Sequence, residues 1–395
     1  MGLSHAAITS VEDLRRIAAR RVPRMFYDYV DCGSWTEATY QANASDLSKI
    51  RFRQRVGRSI ADRTLRSAIV GEDVTIPVAL APTGLAGMQH PDGEILAARA
   101  AEQFGVPFTL STVSICSIED VASHTSRPFW FQLYVMRDRA FIRRLIARAH
   151  DAGCSALVVT LDLQVQGQRH KDIKNGLSTP PKPTLANLLN LATKPRWCLG
   201  MLGTRRRNFG NIVGHVDGVS DVTSLAEWVS GQFDQTLCWD DIRWIRSLWK
   251  RKLILKGIMD EDDAREALET GADAIIVSNH GGRQLDGAPS TIEVLPAIVE
   301  AVGSKIEVLF DSGVRSGQDV LKALALGARG VFIGRAYLYG LGALGEEGVV
   351  RCLEIIRREL DITMALCGVT DVRAVTPAIL MQRASWLDHP DLDAA

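Results

Sequence analysis

The chain has 395 residues, 46% hydrophobic and 23% charged, a composition ordinary for a soluble globular protein with a sizeable core. Lys+Arg and Asp+Glu stand at 46 each, so nothing global points to nucleic acid and any electrostatic function must come from local patches. Seven scattered cysteines without a CxxC pair argue against a disulfide framework or a structural zinc site and fit a reducing compartment; no metal is expected.

The N-terminus has no apolar run of signal-peptide length. No stretch of about 18 apolar residues occurs anywhere, which places the protein in the cytoplasm or at the cytoplasmic face of a membrane. Residues 1–70 contain a helix from about Val11 to Arg20 and the segment RMFYDYVDCGSW, expected to form a cap over one end of the main domain.

Short apolar runs then recur: PVALAP (77–82), PFTLS (107–111), PFWFQLY (128–134) and SALVVTLD (155–162). After a long gap come KLILKG (252–257), AIIVSN (274–279), IEVLFDSG (306–313) and GVFIG (330–334). Between them lie segments with apolar residues at helical spacing, among them DGEILAARAAEQF, DRAFIRRLIARAHDAG, DEDDAREALETG and SGQDVLKALALG. Unbroken apolar strands alternating with helices mean a parallel sheet covered by helices. Eight such units close a (β/α)8 TIM barrel, expected over residues 71–372. A doubly wound open sheet would need a Gly-rich fingerprint after an early strand, and APTGLAGM matches it poorly. The gap between the fourth and fifth strands holds an insertion, taken as 173–236, and a tail occupies 373–395.

Catalytic groups of such barrels sit at the C-terminal strand ends. Here these carry Thr83, Ser111, Gln132 with Tyr134, Thr160 with Asp162, Lys256, Ser278 with His280, Asp311, and Gly334 with Arg335. In SNHGGRQLDG the glycines let the backbone turn sharply, His280 can exchange a proton near neutral pH, and Arg283 can grip an anion with two prongs. FDSGVRSGQD and VFIGRA put glycines and arginines at the last two strand ends, where barrels bind phosphate. Lys256 reads either as a cation stabilising negative charge on a cofactor or as the partner of a strand-end carboxylate.

With YDYVDCGS, TLSTVS, WFQLYV, TLD…GQRHKD and LKG, these motifs resemble the FMN-dependent 2-hydroxy acid dehydrogenases and oxidases over roughly residues 8 to 372. Among members, the chain looks most like bacterial L-lactate dehydrogenases, with L-mandelate dehydrogenases as near relatives. The resemblance implies FMN as cofactor, His280 as the base and Asp162 as the carboxylate supporting it. It implies Arg169 and Arg283 on the substrate carboxylate, with Tyr29 and Tyr134 lining the substrate site. Ser111, Gln132, Thr160, Lys256 and Ser278 become flavin contacts, and Thr83 and Gly84 pass its reactive edge. Asp311, Gly313, Arg315, Gly334 and Arg335 become ribityl and phosphate contacts. A homotetramer is implied too.

The implied reaction is oxidation of an L-2-hydroxy acid, foremost L-lactate to pyruvate, with electrons leaving to a quinone or cytochrome. L-mandelate oxidation, or a soluble oxidase making hydrogen peroxide, are the alternatives. Val113 leaves room for lactate and somewhat larger groups, and Gly84 stands where oxidase-like relatives often carry alanine. An FMN-dependent isomerase would not need the Arg169/Arg283 pair with His280, and a non-catalytic barrel would need none of the three. Between Asp172 and Asp217 no acidic residue occurs, while seven Lys/Arg, including Arg205-Arg206-Arg207, interleave with LANLLNL, PRWCLGMLG and FGNIV. That pattern suits docking on an anionic membrane surface, with a lid over the active site as the other reading.

Overall fold

In the computed structural model, residues 8–177, 184–216 and 231–381 are described. A two-stranded hairpin, β1 (Ser67–Ile69) and β2 (Glu72–Val74), precedes eight parallel strands. These are β3 (Val78–Leu80), β4 (Thr109–Ser111), β5 (Trp130–Tyr134), β6 (Ala156–Thr160), β7 (Lys252–Ile258), β8 (Ala274–Val277), β9 (Glu307–Phe310) and β10 (Gly330–Ile333). Each lies within or overlaps one of the eight apolar runs, and each pairs with its sequence neighbour. The ring closes where Leu80 bridges Phe108, the Leu80 N–H donating to the Pro107 carbonyl at 2.9 Å. The fold is a (β/α)8 barrel.

Strand alternation divides the core in two. Residues such as Val78, Leu80, Leu157 and Val159 face the helices, while Ala79, Ala156, Val158, Ile254 and Ile276 face the axis. Trp130 and Phe332, ring centroids 5.8 Å apart, fill the axis among the small alanines. The β1–β2 hairpin stoppers the N-terminal end with Ile69, Val70 and Val74, and Glu72 accepts the Trp130 indole N–H at 2.8 Å. It straddles the boundary expected at residue 70.

Several of the outer helices start where the sequence supplies caps. Asp138 accepts from the Phe141 N–H ahead of helix Arg139–Asp151, and Ser316 with Asp319 forms a capping box for helix Gly317–Ala325. The N-terminal segment forms helices Val11–Arg21, Arg24–Val30 and Ala38–Lys49. They are tied together at Asp31, which accepts from Arg15 (2.9 Å) and from the hydroxyls of Tyr27 (3.1 Å), Tyr40 (3.2 Å) and Tyr339 (2.6 Å).

The described parts of the insertion include helices Leu185–Ala192 and Pro195–Gly203. Trp197 fixes them to the cap, stacking on Phe26 with centroids 5.4 Å apart and donating to the Met88 carbonyl at 3.0 Å. Of the tail, residues to 381 are described and pack back on the cap: Arg53 N–H donates to Ile379 at 2.7 Å and Met381 N–H to Arg51 at 2.9 Å. The remainder, 382–395, lies outside the described residues.

Candidate active site

Past the end of β8 the backbone turns through three consecutive left-handed residues, His280 (φ 57°), Gly281 (φ 69°) and Gly282 (φ 71°). Gly282 has no alternative, because an added Cβ would strike the Tyr40 backbone. His280 lacks that freedom and is held by its ring, whose Nδ1 lies 2.8 Å from Asp162 Oδ1 beyond the end of β6.

Burial is the largest influence on His280 and pushes its pKa below the usual imidazole value; the Asp162 carboxylate opposes this, and Lys256 and Arg283 add to it. Burial would raise Asp162, but His280 and Lys256 hold it below the ordinary carboxylate value. The pair therefore rests near neutral pH as imidazole and carboxylate. With Nδ1–H donated to Asp162, Nε2 keeps a lone pair able to take a proton.

A cleft of about 510 Å³ opens at this end of the barrel. Fourteen of the site residues that the resemblance implies line it: Tyr29, Thr83, Gly84, Tyr134, Thr160, Arg169, Lys256, His280, Arg283, Asp311, Gly313, Arg315, Gly334 and Arg335; Val113 lines it too. Ser111, Gln132, Asp162 and Ser278 do not line it, but bond to its lining or to one another. Ser278 accepts from Lys256 Nζ at 2.6 Å and Ser111 donates to Gln132 Oε1 at 3.0 Å.

Arg283 and Arg169 converge on Tyr29, with guanidinium carbons 4.7 and 5.7 Å from its ring centroid. Arg283 is braced by the carbonyl of Tyr29 and by Cys32, whose Sγ is 3.3 Å from Nη1. Arg169 pairs with Asp172 at 2.9 Å, both nearly buried. Asp172 was missed in the sequence, although an acid three residues after the arginine in RHKD was the available signal. Arg207, Phe209 and Phe233 reach the cleft from the insertion; none was assigned to it in the sequence, although a lid over the active site was the insertion's other reading. Lys256 combines both of its sequence readings: it stands in the mouth and pairs with Asp311 at 3.1 Å.

At the far end, Gly334 precedes the ten-residue helix Arg335–Leu344, whose N-terminus faces the cleft. The Arg335 guanidinium donates to the carbonyls of Val30 (2.8 Å) and Cys32 (2.7 Å). Burial, then neighbouring Arg315, pushes Arg335 below its ordinary value. The cleft lining carries six cations (Arg169, Arg207, Lys256, Arg283, Arg315 and Arg335) against two carboxylates, Asp172 and Asp311.

The residues present fit a flavin mononucleotide. The cationic surplus calls for a phosphate and a carboxylate. Gln132 Nε2 is buried with no partner and needs an acceptor such as a ring carbonyl. Gly84 keeps the backbone bare, since an added Cβ would come within 2.9 Å of Val113 Cγ2 and 3.2 Å of the Tyr29 hydroxyl.

Known proteins are similar to this chain in sequence and fold. An L-lactate dehydrogenase of Caulobacter vibrioides is 46% identical over 378 residues, covering 95% of this chain and 98% of that one. The crystal structure of the monotopic membrane protein (S)-mandelate dehydrogenase superposes with a TM-score of 0.91 at 37% identity, covering 95% of this chain and 99% of that one. A soluble mutant of the membrane-associated (S)-mandelate dehydrogenase from Pseudomonas putida gives 0.81 at 37% identity, with the same coverage. Residues 18–382 match the family described as FMN-dependent dehydrogenase, and the chain, built on this barrel and this cleft, belongs to that family.

Proposed function

We propose that the protein oxidises an L-2-hydroxy acid, foremost L-lactate, to its 2-keto acid, with His280 as general base. The observation that carries this is the His280 ring, backed by Asp162 at 2.8 Å and lining one cleft with Arg283. Arg283 and Arg169 hold the substrate carboxylate as a fork, which presents the C2 hydroxyl to His280 Nε2. Nε2 takes the hydroxyl proton, and Asp162 steadies the imidazolium that results. Tyr29 and Tyr134 border the substrate; burial raises the Tyr134 pKa, so its hydroxyl stays a neutral donor.

FMN, when bound, would supply the acceptor for the C2 hydrogen together with the electron pair of the C2–H bond, leaving the keto acid. Thr83, Gly84, Ser111, Gln132, Thr160, Lys256 and Ser278 would hold its ring, and Asp311, Gly313, Arg315, Gly334 and Arg335 its ribityl phosphate. Support for lactate comes from the relatives bearing that name; the apolar walls Val113, Phe209 and Phe233 favour a larger side chain, such as that of mandelate, as the second reading. Anaerobic bleaching of the yellow protein by L-lactate tests the reaction. Comparing kcat/KM for lactate, glycolate, 2-hydroxybutyrate and mandelate tests the substrate.

Electrons then pass to a quinone or cytochrome, with the protein docked on the cytoplasmic face of a membrane. No described helix is long and apolar enough to cross a bilayer. The two insertion helices instead expose Leu185 (73%), Leu188, Leu189, Leu199 and Leu202 (70%), an apolar face suited to the lipid boundary. Exposed Lys174, Arg196 and Arg205 accompany it, as do Arg20 and Arg24 of the cap, joined to it through Lys194 and Asn190. Arg206 is no part of that face: it turns inward to Asp120 (2.7 Å) and Asp92 (3.1 Å). Sedimentation with anionic vesicles tests the docking.

A further inference from the structure

In SNHGGRQLDG the reaction uses His280 and Arg283 and leaves Gln284 unexplained. Its side chain is fully engaged. Nε2 donates to the carbonyls of Asp162 (2.6 Å) and Val165 (2.8 Å), and Oε1 accepts from the Gly167 N–H (3.2 Å). All three partners lie between the end of β6 and helix His170–Lys174, where residues 161–169 have neither helix nor strand to fix them. Asp162 stands at the second position of that stretch and Arg169 at its last. The stretch runs so close to the turn after β8 that a Cβ on Gly167 would fall 2.6 Å from the Arg283 carbonyl and 2.8 Å from that of Gln284.

The Asp162 carboxylate packs against Gly257, where an added Cβ would meet its Cγ at 2.9 Å, and lies within the field of Lys256. Oδ1 bonds His280, while Oδ2 is buried without a hydrogen-bond partner. Its position also follows its own backbone, which the Leu161 N–H ties to the Lys256 carbonyl at 2.9 Å on the strand side and which Gln284 grips at the Asp162 carbonyl on the loop side.

We propose that Gln284 is a positioning residue of the reaction: it fixes the loop from Asp162 to Arg169 against the His280–Arg283 turn, setting the carboxylate behind the base and aiming Arg169 at the substrate. The proposal rests on His280 being the base. Misplacement of catalytic groups by about 1 Å can cost about 100-fold in rate, so a clamp that touches no substrate still governs turnover.

The test compares Gln284→Met, of similar length but without the amide, with Gln284→Asn and Gln284→Glu in the FMN-loaded enzyme. Gln284→Met is expected to keep wild-type FMN content and Tm while kcat/KM for L-lactate falls about 10- to 100-fold. The groups facing His280 are Asp162, which raises its pKa, and Lys256 and Arg283, which lower it. Loosening Asp162 alone therefore moves the acid limb of kcat/KM to lower pH, which a general loss of stability would not do. Gln284→Asn keeps the amide donors and should recover part of the loss. Gln284→Glu sets a carboxylate against two carbonyls and should be worse than Met. Wild-type kcat/KM with an unmoved acid limb in Gln284→Met, loss in proportion to lost FMN, or Asn no better than Met would overturn the proposal. Near-normal flavin reduction in His280→Ala would instead sink the general-base reading, whatever Gln284→Met shows.

Discussion

His280 Nδ1 and Asp162 Oδ1 meet at 2.8 Å although 118 residues separate them, one just past the sixth strand of the barrel and the other just past the fourth. The contact fixes which ring nitrogen faces the cleft. Asp162→Asn keeps the shape but not the charge, so flavin reduction by L-lactate should slow by about 10²–10⁴-fold, the range typical for acid–base catalysis. Stopped-flow bleaching measures this, and an unchanged rate would remove Asp162 from the reaction.

The pH profile is set by the direction of the His280 shift. A base works unprotonated, and burial holds this imidazole below its ordinary value, so kcat/KM should rise through a pKa below 6.5 and stay flat above it until another group titrates. A rise centred above 6.5 would contradict the assignment.

Arg283→Lys should raise KM and lower kcat together. A lysine cannot form the fork, nor reach the Tyr29 carbonyl and Cys32 while facing substrate. A combined loss of about 2–3 kcal/mol in kcat/KM, about 30- to 150-fold, is expected for a charge-assisted pair. Steady-state kinetics with L-lactate decide it.

Replacing Leu185, Leu188, Leu199 and Leu202 by serine should release the protein from anionic vesicles while leaving lactate-dependent bleaching in solution intact. Neutralising Arg206 should instead lower Tm, since Asp92 and Asp120 lose their partner. If the leucine variant still sediments with vesicles, the docking face lies elsewhere.

Asp31→Asn should destabilise the fold by about 3 kcal/mol in urea unfolding, because the buried carboxylate has Arg15 and three tyrosine hydroxyls as donors. Burial would raise its pKa, but those partners bring it down to about 2. The folded value is the lower one, so this stabilisation is complete above the unfolded pKa and drains away as pH falls toward 2. Wild type should lose stability over that window more steeply than the variant.

The barrel was legible because its strands lie in short apolar runs that alternate with segments of helical spacing, and some of those segments carry a start signal, as with Asp138 and Ser316. The polar strand ends were legible for the same reason: once a strand's limits are known, so are the residues just beyond it. Contacts that depend on distant pairing were not. Arg206 sits in a run of three arginines that reads as surface charge, and only folding brings Asp92 and Asp120 to it. Likewise, nothing around Phe209 or Phe233 signals that an insertion expected on a membrane or over the mouth would wall the cleft.

The turn from Tyr29 to Cys32 is held from two sides, by Arg283 through the carbonyls of Tyr29 and Cys32, and by Arg335 through those of Val30 and Cys32. On the proposed function it works as a latch spanning the substrate end and the phosphate end of one cleft. On that reading, lifting the cap would unseat both arginines together, so a path for cofactor exchange through this side would not open without dismantling the substrate fork. An enzyme latched this way would exchange its flavin rarely and would be catalytically silent whenever it does.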